Sequence, residues 1–365
     1  MTNEWNSAPH LLCVQLGSPA DLLMCTPALR ALRAQCPERR LTLLAAPAGA
    51  ALGPYLPDTD AVLAYAAPWM KGGAASSASS ASQLDWIAGL AAQRFDGAVI
   101  FAGHRESALP AALLCQLAGI PLRAGYCREN PYHLLTHWIA DPEPDALRRH
   151  PVQRQLDLAR HLGAELGDKR LAFVPREEEL AAVRMRLRSV GIDPAGRWLA
   201  LHPGAGAQAK RYPQQQWSTL LRLLHERIGC PLVLVGSPHE QMLIDELGLP
   251  AGADVHSLAG QLGIGELGAL LAQASLMISS NPGTVQLATA VGTPVVDLVG
   301  QADPQHAPWR VPSRVPSHDA QREGCERDMG HHNCAEEPGP ARVVDAVCSL
   351  LKQTEAYRIR EAGTA

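Results

Sequence analysis

Residues 11–30 read LLCVQLGSPADLLMCTPALR, and this stretch decides the fold. An apolar run ends at the Gly-Ser-Pro turn of residues 17–19, and a helical pattern then continues to residue 30. An apolar strand, a tight turn and a helix in this order are typical of the start of a doubly wound α/β sheet. The turn exposes Asp21, which therefore lies just beyond the carboxyl end of the first predicted strand.

A second stretch repeats this organisation. Residues 199–213 read LALHPGAGAQAKRYP, where an apolar run opens into a loop of small residues and then presents Lys210 and Arg211. A carboxylate follows the first strand and a pair of cations follows the second. The two stretches therefore resemble two halves of one active site.

Strand-like runs and helix-like stretches alternate in two series. The first series has strands at 11–15, 41–45 and 98–101 and helices at 26–35, 84–93 and 109–117. The second has strands at 199–202, 232–235, 276–279 and 295–299 and helices at 214–227, 241–247, 264–272 and 284–290. Charged amphipathic helices at 150–163 and 177–189 connect them. The pattern predicts an α/β protein with two doubly wound parallel sheets and a boundary between residues 165 and 195.

Composition limits the functions that are compatible with this fold. A length of 365 residues suits two domains, and 47% hydrophobic residues are enough for two cores. The net charge of −4 gives no overall basic field, so we expect no nucleic-acid partner. The N-terminus shows neither a signal peptide nor a membrane span, which favours the cytoplasm. The nine cysteines are mostly scattered singly in apolar surroundings, as reduced core thiols are.

One low-complexity segment interrupts the first half. Residues 72–82 read GGAASSASSAS, and such small side chains bury too little area to offset the entropy of ordering them. The segment is interpreted as a tolerated surface insertion or, alternatively, as an acceptor-side lid that orders on binding.

Four ordered motifs together carry a family resemblance. They are QLGSPADLLMCTPALRAL, LHPGAGAQAKRYPQQQW, LVGSPHEQ and SSNPGTVQLATAVGTPVVDLVGQADP. Their order and spacing resemble glycosyltransferase family 9, which contains the ADP-heptose:lipopolysaccharide heptosyltransferases. The resemblance covers about residues 11–351.

The resemblance implies a GT-B architecture, in which two Rossmann-like domains face each other across a cleft. Residues 1–175 would form the acceptor-side domain and residues 176–340 the nucleotide-sugar domain. Residues 341–365 would form a final helix and tail that can cross back to the first domain. The resemblance also implies that no metal and no cofactor takes part.

Asp21 matches the catalytic aspartate of the family, which acts as general base on the acceptor hydroxyl. Gly17 and Ser18 would line the acceptor side of the same turn. The alternative is that Asp21 is simply a helix cap, since Asp after Ser-Pro often satisfies free backbone N–H groups. The family commonly has Arg at the position of Gln15 and Gly at the position of Ala20, so both departures lie beside the predicted base.

Lys210 matches a lysine that similar enzymes direct at the donor phosphates. The backbone N–H groups of Gly204, Ala205 and Gly206 would add to its effect on the departing nucleotide. The alternative is a solvated surface Lys-Arg pair.

Glu240 matches a family glutamate that holds the nucleotide ribose, and a carboxylate just beyond a strand end suits paired sugar hydroxyls. It is otherwise an acid favoured in the first turn of a helix. Leu262 ends the loop LAGQL (258–262), which resembles the segment that packs along the adenine.

The segment SSNPGTVQ (279–286) departs most from the family, where Asp-Thr/Ser-Gly is followed by His three residues after the Gly. Here the residues are Asn281, Pro282, Gly283, Thr284 and Gln286. A Gly-containing turn that opens a helix still offers N–H groups and a positive dipole end to a diphosphate. The charges of the family aspartate and histidine are absent, so activity could be altered in donor choice, weakened or lost.

A group of soft ligands lies near the C-terminus, in CERDMGHHNC. Cys325, His331, His332 and Cys334 lack the paired spacing of a zinc site, so a loop shared with family relatives is favoured over a structural metal or a redox site.

These residues support a first hypothesis, an inverting transferase that moves a heptose-like sugar from an ADP-sugar to a saccharide acceptor of the lipopolysaccharide core or another surface glycan. Lipid-linked acceptors would bring it into peripheral contact with the cytoplasmic face of the inner membrane. A second hypothesis is a catalytically silent nucleotide-sugar-binding protein of the same fold. An epimerase would need paired acid and base carboxylates, and the motifs contain no such pair.

Overall fold

The structure is a computed structural model that describes residues 4–70, 80–165, 167–204, 212–247, 252, 254–298, 307–316 and 338–362. The chain divides into two compact units, Met1–Val174 and Pro175–Ala365. Each unit is built on one parallel β-sheet.

The described part of unit 1 contains six strands and five helices. The strands are β1 (His10–Gln15), β2 (Arg40–Ala45), β3 (Ala61–Ala64), β4 (Gly97–Ile100), β5 (Leu122–Cys127) and β6 (His137–Ala140). The helices are α1 (Pro19–Gln35), α2 (Pro47–Ala50), α3 (Ser80–Ala92), α4 (Leu109–Leu117) and α5 (Pro151–His161).

The sheet of unit 1 has the strand order β3-β2-β1-β4-β5-β6, with every neighbouring pair parallel. This is the order of dinucleotide-binding Rossmann sheets, which reverses between β1 and β4. Helices cover the sheet, and Leu12, Val14 and Ile100 pack in one core with Ala111 and Ala112 of α4. Ligands of such sheets bind beyond the carboxyl ends of the strands at the point of reversal, so the end of β1 is where a site is expected.

Helix α1 begins at Pro19, seven residues before the predicted start at residue 26, and continues through Pro27. Proline has no N–H to donate to the carbonyl four residues earlier, which usually breaks a helix. Here the Thr26 hydroxyl donates to that carbonyl, Leu23 O, at 2.7 Å. The same hydroxyl oxygen accepts a hydrogen bond from the N–H of Ala172 at 3.0 Å. The Thr26 side chain therefore satisfies the carbonyl that Pro27 leaves without a donor, and it also anchors the last residues of unit 1 to α1.

A buried ion cluster ties α5 to the chain that follows β6. Both terminal nitrogens of Arg154 donate to the Asp141 carboxylate, at 2.7 and 2.8 Å, and one also donates to Glu143 at 2.5 Å. The Arg154 Nε donates to the carbonyl of Ala102 at 3.1 Å. Burial alone would raise the pKa of both carboxyls, but hydrogen bonds lower the pKa of each on balance: those from Arg154 act on Asp141, and those from the Arg149 N–H and the Arg154 side chain act on Glu143. The guanidinium also stacks on Tyr126, 4.5 Å from the ring centre.

The described part of unit 2 again contains six strands, with six helices. The strands are β7 (Leu199–His202), β8 (Leu232–Leu234), β9 (Val255–Ser257), β10 (Leu276–Ser279), β11 (Val295–Asp297) and β12 (Ser313–Arg314). The helices are α6 (Glu177–Ser189), α7 (Gln214–Ile228), α8 (Gln241–Asp245), α9 (Ile264–Gln273), α10 (Pro282–Ala290) and α11 (Pro340–Ala362). A 3-10 turn, Pro238–Glu240, precedes α8.

The second sheet repeats the topology of the first, with the order β12-β11-β10-β7-β8-β9 and parallel pairs throughout. Its order reverses between β7 and β10, so the ends of these two strands flank the expected site. The core combines Leu199 and Leu201 of β7 with Trp217 of α7 and with the apolar positions of α11, among them Val343 and Val347. None of the helices in the described residues combines the length and apolarity needed to cross a membrane.

Candidate functional site

The first-unit turn, residues 15–21, leaves the carboxyl end of β1. Gln15 is buried, and its amide nitrogen donates to the carbonyl of Phe101, just beyond β4, at 2.8 Å. Its amide oxygen accepts from the N–H of Gly17 at 2.7 Å. This neutral side chain therefore links the chain beyond β4 to the end of β1 and fixes the start of the turn. A Cβ on Gly17 would lie 2.8 Å from Asp21 Oδ2 and 2.9 Å from Gln15 Oε1, so a larger residue there would displace these two side chains.

Asp21 is the third residue of α1 and closes a capping box with Ser18. Its Oδ2 accepts hydrogen bonds from the Ser18 N–H at 2.8 Å and from the Ser18 hydroxyl at 2.6 Å. The capping role considered as an alternative is thus fulfilled by one carboxylate oxygen. The other oxygen, Oδ1, receives no hydrogen bond from the described residues. It can therefore accept a hydrogen bond from a ligand hydroxyl, or its proton. Ala20, beside the predicted base, is buried.

The second-unit cluster consists of His202, Glu240 and Thr284. His202 ends β7, Glu240 ends the 3-10 turn after β8, and Thr284 lies in the first turn of α10, after β10. The His202 Nε2 is 3.1 Å from Glu240 Oε2, and its Nδ1 is 2.5 Å from Thr284 Oγ1. Since β7 lies between β8 and β10 in the sheet, the imidazole joins the elements that follow both neighbouring strands.

Glu240 is held as an ionised carboxylate. The hydrogen bond from His202 is the main cause that lowers the pKa of Glu240 from 4.5 to about 2, and burial opposes it. The N–H and hydroxyl of Ser237 add to the lowering, each donating to Oε2 at 2.8 Å. The backbone of Gly204 lies directly against this carboxylate, because a Cβ there would be 1.9 Å from Oε1.

Helix α10 opens with the predicted donor segment of Asn281, Pro282 and Gly283. The Asn281 side chain is the N-cap, and its oxygen accepts from the N–H groups of Gly283 at 2.9 Å and Thr284 at 3.4 Å. Pro282 has no N–H to offer. The helix thus presents the positive end of its dipole behind a neutral cap, and the N–H groups expected for a diphosphate already bind this side chain. Gln286 is fully buried in the helix.

Leu262 lies just before α9 and is half-buried. The preceding loop pairs with the turn that carries Glu240, since the N–H of Gly260 donates to Gly236 O at 2.9 Å. Gly260 has a φ of +70°, and a Cβ on it would lie 3.2 Å from Pro238 Cα. Its close approach brings the 258–262 loop beside the second-unit cluster.

Several predicted site residues lie outside the described residues. They are Ala205, Gly206 and Lys210, together with the group Cys325, His331, His332 and Cys334. The 72–79 part of the low-complexity segment lies outside them as well. Among the described residues, no cluster of three His, Cys, Asp or Glu side chains has an arrangement that could hold a metal ion.

His202 is the residue that the sequence motifs did not single out. Its side chain is 7% exposed and bonds to residues 38 and 82 positions away. A histidine at the last position of an otherwise apolar strand, in LALHPGAGA, was the available signal. Polar side chains at that position face the ligand side of a Rossmann sheet.

Two Rossmann-like sheets, each with polar side chains gathered where its strand order reverses, give the chain the α/β fold of the GT-B class. Residues 86–338 match the sequence profile of glycosyltransferase family 9 (heptosyltransferase). The chain belongs to this family, and the expected family and fold are confirmed.

Named relatives agree with this assignment. The chain is 26% identical over 279 residues to lipopolysaccharide heptosyltransferase 2 of Escherichia coli K12, covering 72% of this chain and 78% of the relative. A family 9 glycosyltransferase from Veillonella parvula superposes with a TM-score of 0.76 at 16% identity, over 94% of this chain and 97% of that one. The E. coli heptosyltransferase WaaC with ADP-2-deoxy-2-fluoro heptose superposes with a TM-score of 0.65 at 20% identity, over 85% and 93% of the two chains.

Proposed function

We propose that this glycosyltransferase moves a heptose-like sugar from an ADP-sugar to a saccharide acceptor of the lipopolysaccharide core or another surface glycan, with inversion and without a metal. The observation that carries the proposal is the Glu240 carboxylate, which ends the turn after β8, keeps its Oε1 free of the turn's hydrogen bonds and is joined through His202 to Thr284 in the first turn of α10. An acid after the second strand of a Rossmann sheet is suited to ribose hydroxyls, and a helix N-terminus is suited to a diphosphate. Similarity to a heptosyltransferase solved with an ADP-heptose analogue supports the choice of donor.

Asp21 is the proposed general base. Its Oδ1 takes the proton of the acceptor hydroxyl as that oxygen attacks the anomeric carbon, and the bond from this carbon to the ADP oxygen breaks with its electron pair. Attack opposite to the leaving group inverts the anomeric centre. The two Ser18 hydrogen bonds to Oδ2 fix the carboxylate orientation, which leaves Oδ1 for the reaction.

The departing ADP carries the negative charge that develops in the transition state, and two features are proposed to stabilise it. Lys210 supplies a full positive charge, and the α10 dipole supplies a partial one. A neutral asparagine at position 281 suits this role better than an aspartate would, because a neutral cap does not repel a diphosphate. A ligand phosphate would compete with the Asn281 oxygen for the N–H groups of Gly283 and Thr284. Backbone N–H groups of Ala205 and Gly206 complete the proposed donor site.

The second candidate is a protein that binds a nucleotide sugar but does not transfer it. Asn281 and Gln286 favour it, since both are neutral where the family has Asp and His. Neither substitution removes the proposed base, so the two candidates differ in turnover and agree in nucleotide binding.

The test begins with titration calorimetry of the full chain with ADP, UDP and GDP. We expect selective ADP binding that weakens in Lys210→Ala and Glu240→Ala. The exposed Lys352→Ala and Glu246→Ala serve as matched controls and should bind as the parent protein does. The proposed ADP-sugar donor would be refuted if the protein did not bind ADP. It would also be refuted if the protein preferred another nucleotide whose affinity neither substitution changed.

Turnover then separates the two candidates. Incubation with ADP-heptose and lipopolysaccharide-core acceptors in EDTA should yield a product whose anomeric configuration, read by NMR, is inverted. ADP binding without any product supports the silent protein. Product formation that needs an added divalent cation would refute the metal-independent mechanism. Flotation with vesicles that carry the lipid-linked acceptor tests the proposed peripheral membrane contact.

A further inference from the structure

His202 occupies the central position of the second sheet. It is the last residue of β7, whose neighbours are β10 and β8. The side chain is 7% exposed and contacts the element that follows each neighbour, through Thr284 and Glu240. No family motif quoted above assigns it a role.

The two carboxylate oxygens of Glu240 differ in their hydrogen bonds. Oε2 accepts three, from the His202 Nε2 at 3.1 Å and from the N–H and hydroxyl of Ser237 at 2.8 Å each. Oε1 accepts none from the described residues and lies over the backbone of Gly204. The carboxylate therefore keeps one oxygen for a ligand.

The network also places a hydrogen on the Nε2 of His202. An ionised carboxylate only accepts hydrogen bonds, so Nε2 carries a hydrogen whether the ring is neutral or protonated. In the neutral ring, Nδ1 is an acceptor for the Thr284 hydroxyl. Glu240 and Thr284 are thus oriented by a single ring.

We infer that His202 is a positioning residue for the nucleotide: it holds the Glu240 carboxylate so that Oε1 accepts from the ribose hydroxyls. The inference rests on the proposed nucleotide-sugar donor and goes beyond it, because it makes ribose recognition depend on a side chain that does not contact the ligand. Without the Nε2 hydrogen bond, Glu240 loses its one bond to β7 and keeps only those within its own turn. Its side chain can then adopt other rotamers, and Oε1 is no longer held toward the sugar.

Two amide substitutions separate the two contacts of the ring. A Gln side chain places its amide nitrogen near the position of Nε2, whereas an Asn side chain reaches only the position of Nδ1. His202→Gln therefore keeps a donor to Glu240, and His202→Asn keeps a partner for Thr284 and loses Glu240. Each variant retains a polar group in a buried place, and thermal unfolding establishes that each is folded.

The experiment measures the affinity of the full chain for ADP, 2′-deoxy-ADP and 3′-deoxy-ADP by titration calorimetry. The parent protein should bind ADP about tenfold or more tightly than it binds at least one deoxy analogue. This ratio is the affinity expected to be lost with one hydrogen bond to a charged group. His202→Gln should keep this ratio. His202→Asn should bring the ratio close to one, and Glu240→Ala should do the same. In the Glu240→Ala protein, adding His202→Asn should not change the ratio any further. His225→Gln, on α7, is the matched control and should leave the ratio unchanged.

The outcomes separate the inference from the function on which it rests. A parent protein that does not bind ADP, or that binds all three nucleotides equally, overturns the proposed ribose site and the inference together. A parent protein that discriminates, with the same ratio in folded His202→Asn, overturns the inference alone. Loss of the ratio in both Asn and Gln variants also overturns it, because the Gln variant keeps the donor that the inference requires.

Discussion

Gly204→Ala is the substitution whose effect the structure defines most sharply. A Cβ at this position would lie 1.9 Å from Glu240 Oε1 and 2.2 Å from its Cδ, far inside any van der Waals contact. The carboxylate must move, and moving it breaks or lengthens three hydrogen bonds to Oε2. Overpacking in well-packed protein typically costs about 1–3 kcal/mol. We therefore expect unit 2 to lose about 2 kcal/mol of unfolding free energy, and ADP affinity to fall about tenfold or more.

A double-mutant cycle isolates the cause. In Glu240→Ala, the atoms that the new methyl group would meet are gone, so Gly204→Ala should cost less than about 0.5 kcal/mol there. The coupling between the two substitutions should then be about 1.5–2 kcal/mol. Urea unfolding followed by tryptophan fluorescence measures the costs, and two of the reporting side chains, Trp198 and Trp217, are buried in unit 2.

Gly89→Ala is the control, because a Cβ at this helical position meets no atom within 4 Å. It should stabilise unit 1 by about 0.5–1 kcal/mol, as replacement of a helical glycine by alanine does. Equal costs of Gly204→Ala in the parent and in Glu240→Ala would refute the reasoning, since the contact with the carboxylate could not then be the source.

Three further predictions concern charged side chains. Asp21→Asn should lower transfer about 10²–10⁴-fold in a radiolabel assay with ADP affinity unchanged, because the amide can cap α1 but cannot take a proton. For Glu240, a folded-state pKa of about 2 against an ordinary 4.5 means a contribution to stability that is complete above pH 4.5 and is lost as the pH falls toward 2. The unfolding free energy of the parent, measured with urea, should exceed that of Glu240→Gln by at most about 3 kcal/mol, and the difference should shrink over this pH window. Arg154→Met leaves Asp141 and Glu143 buried without their main partner and should destabilise unit 1 by about 3–5 kcal/mol in urea unfolding.

Each of these has an outcome that contradicts it. Full transfer by Asp21→Asn would assign the base elsewhere. A parent-minus-Gln difference that stays constant from pH 6 to pH 3 would show that the pKa of Glu240 is not lowered by folding. The half-exposed Arg222, paired with Glu226, provides the control for the arginine: Arg222→Met should change stability by less than about 0.5 kcal/mol, and an equal effect of Arg154→Met would contradict the role of burial.

The central strands and the long helices were predictable because their apolar patterns are strong. Strands β7 and β10 and helices α4 and α6 have the bounds that the sequence predicted. The strands that escaped prediction are β3, β5, β6, β9 and β12. Most of these are short edge or near-edge strands without a fully buried face, and β6 alternates between half-buried and exposed residues. In β5, the buried Arg123 donates to four backbone carbonyls, which no hydropathy pattern reveals.

In the candidate site too, some features could be predicted from the sequence and others could not. Asp21 and Glu240 follow strands with recognisable turns, so their places at the strand ends were predictable. The contacts of His202 were not, because they depend on the strand order of the folded sheet, which brings Glu240 and Thr284 to the two sides of β7. Likewise, the sequence indicates that the cap of α10 is neutral, but only the structure brings the Asn281 oxygen onto the N–H groups of Gly283 and Thr284.

The two sheets have separate hydrophobic cores, one around Leu12 and Val14 and the other around Leu199 and Leu201. A change that repacks one core need not be compensated in the other. In the proposed division of roles, the acceptor side lies in unit 1 and the nucleotide site in unit 2. Substitutions around the first-unit turn can then change the acceptor while the His202–Glu240–Thr284 arrangement is kept. The independence of the two cores also offers protein engineers a boundary at which whole units can be exchanged.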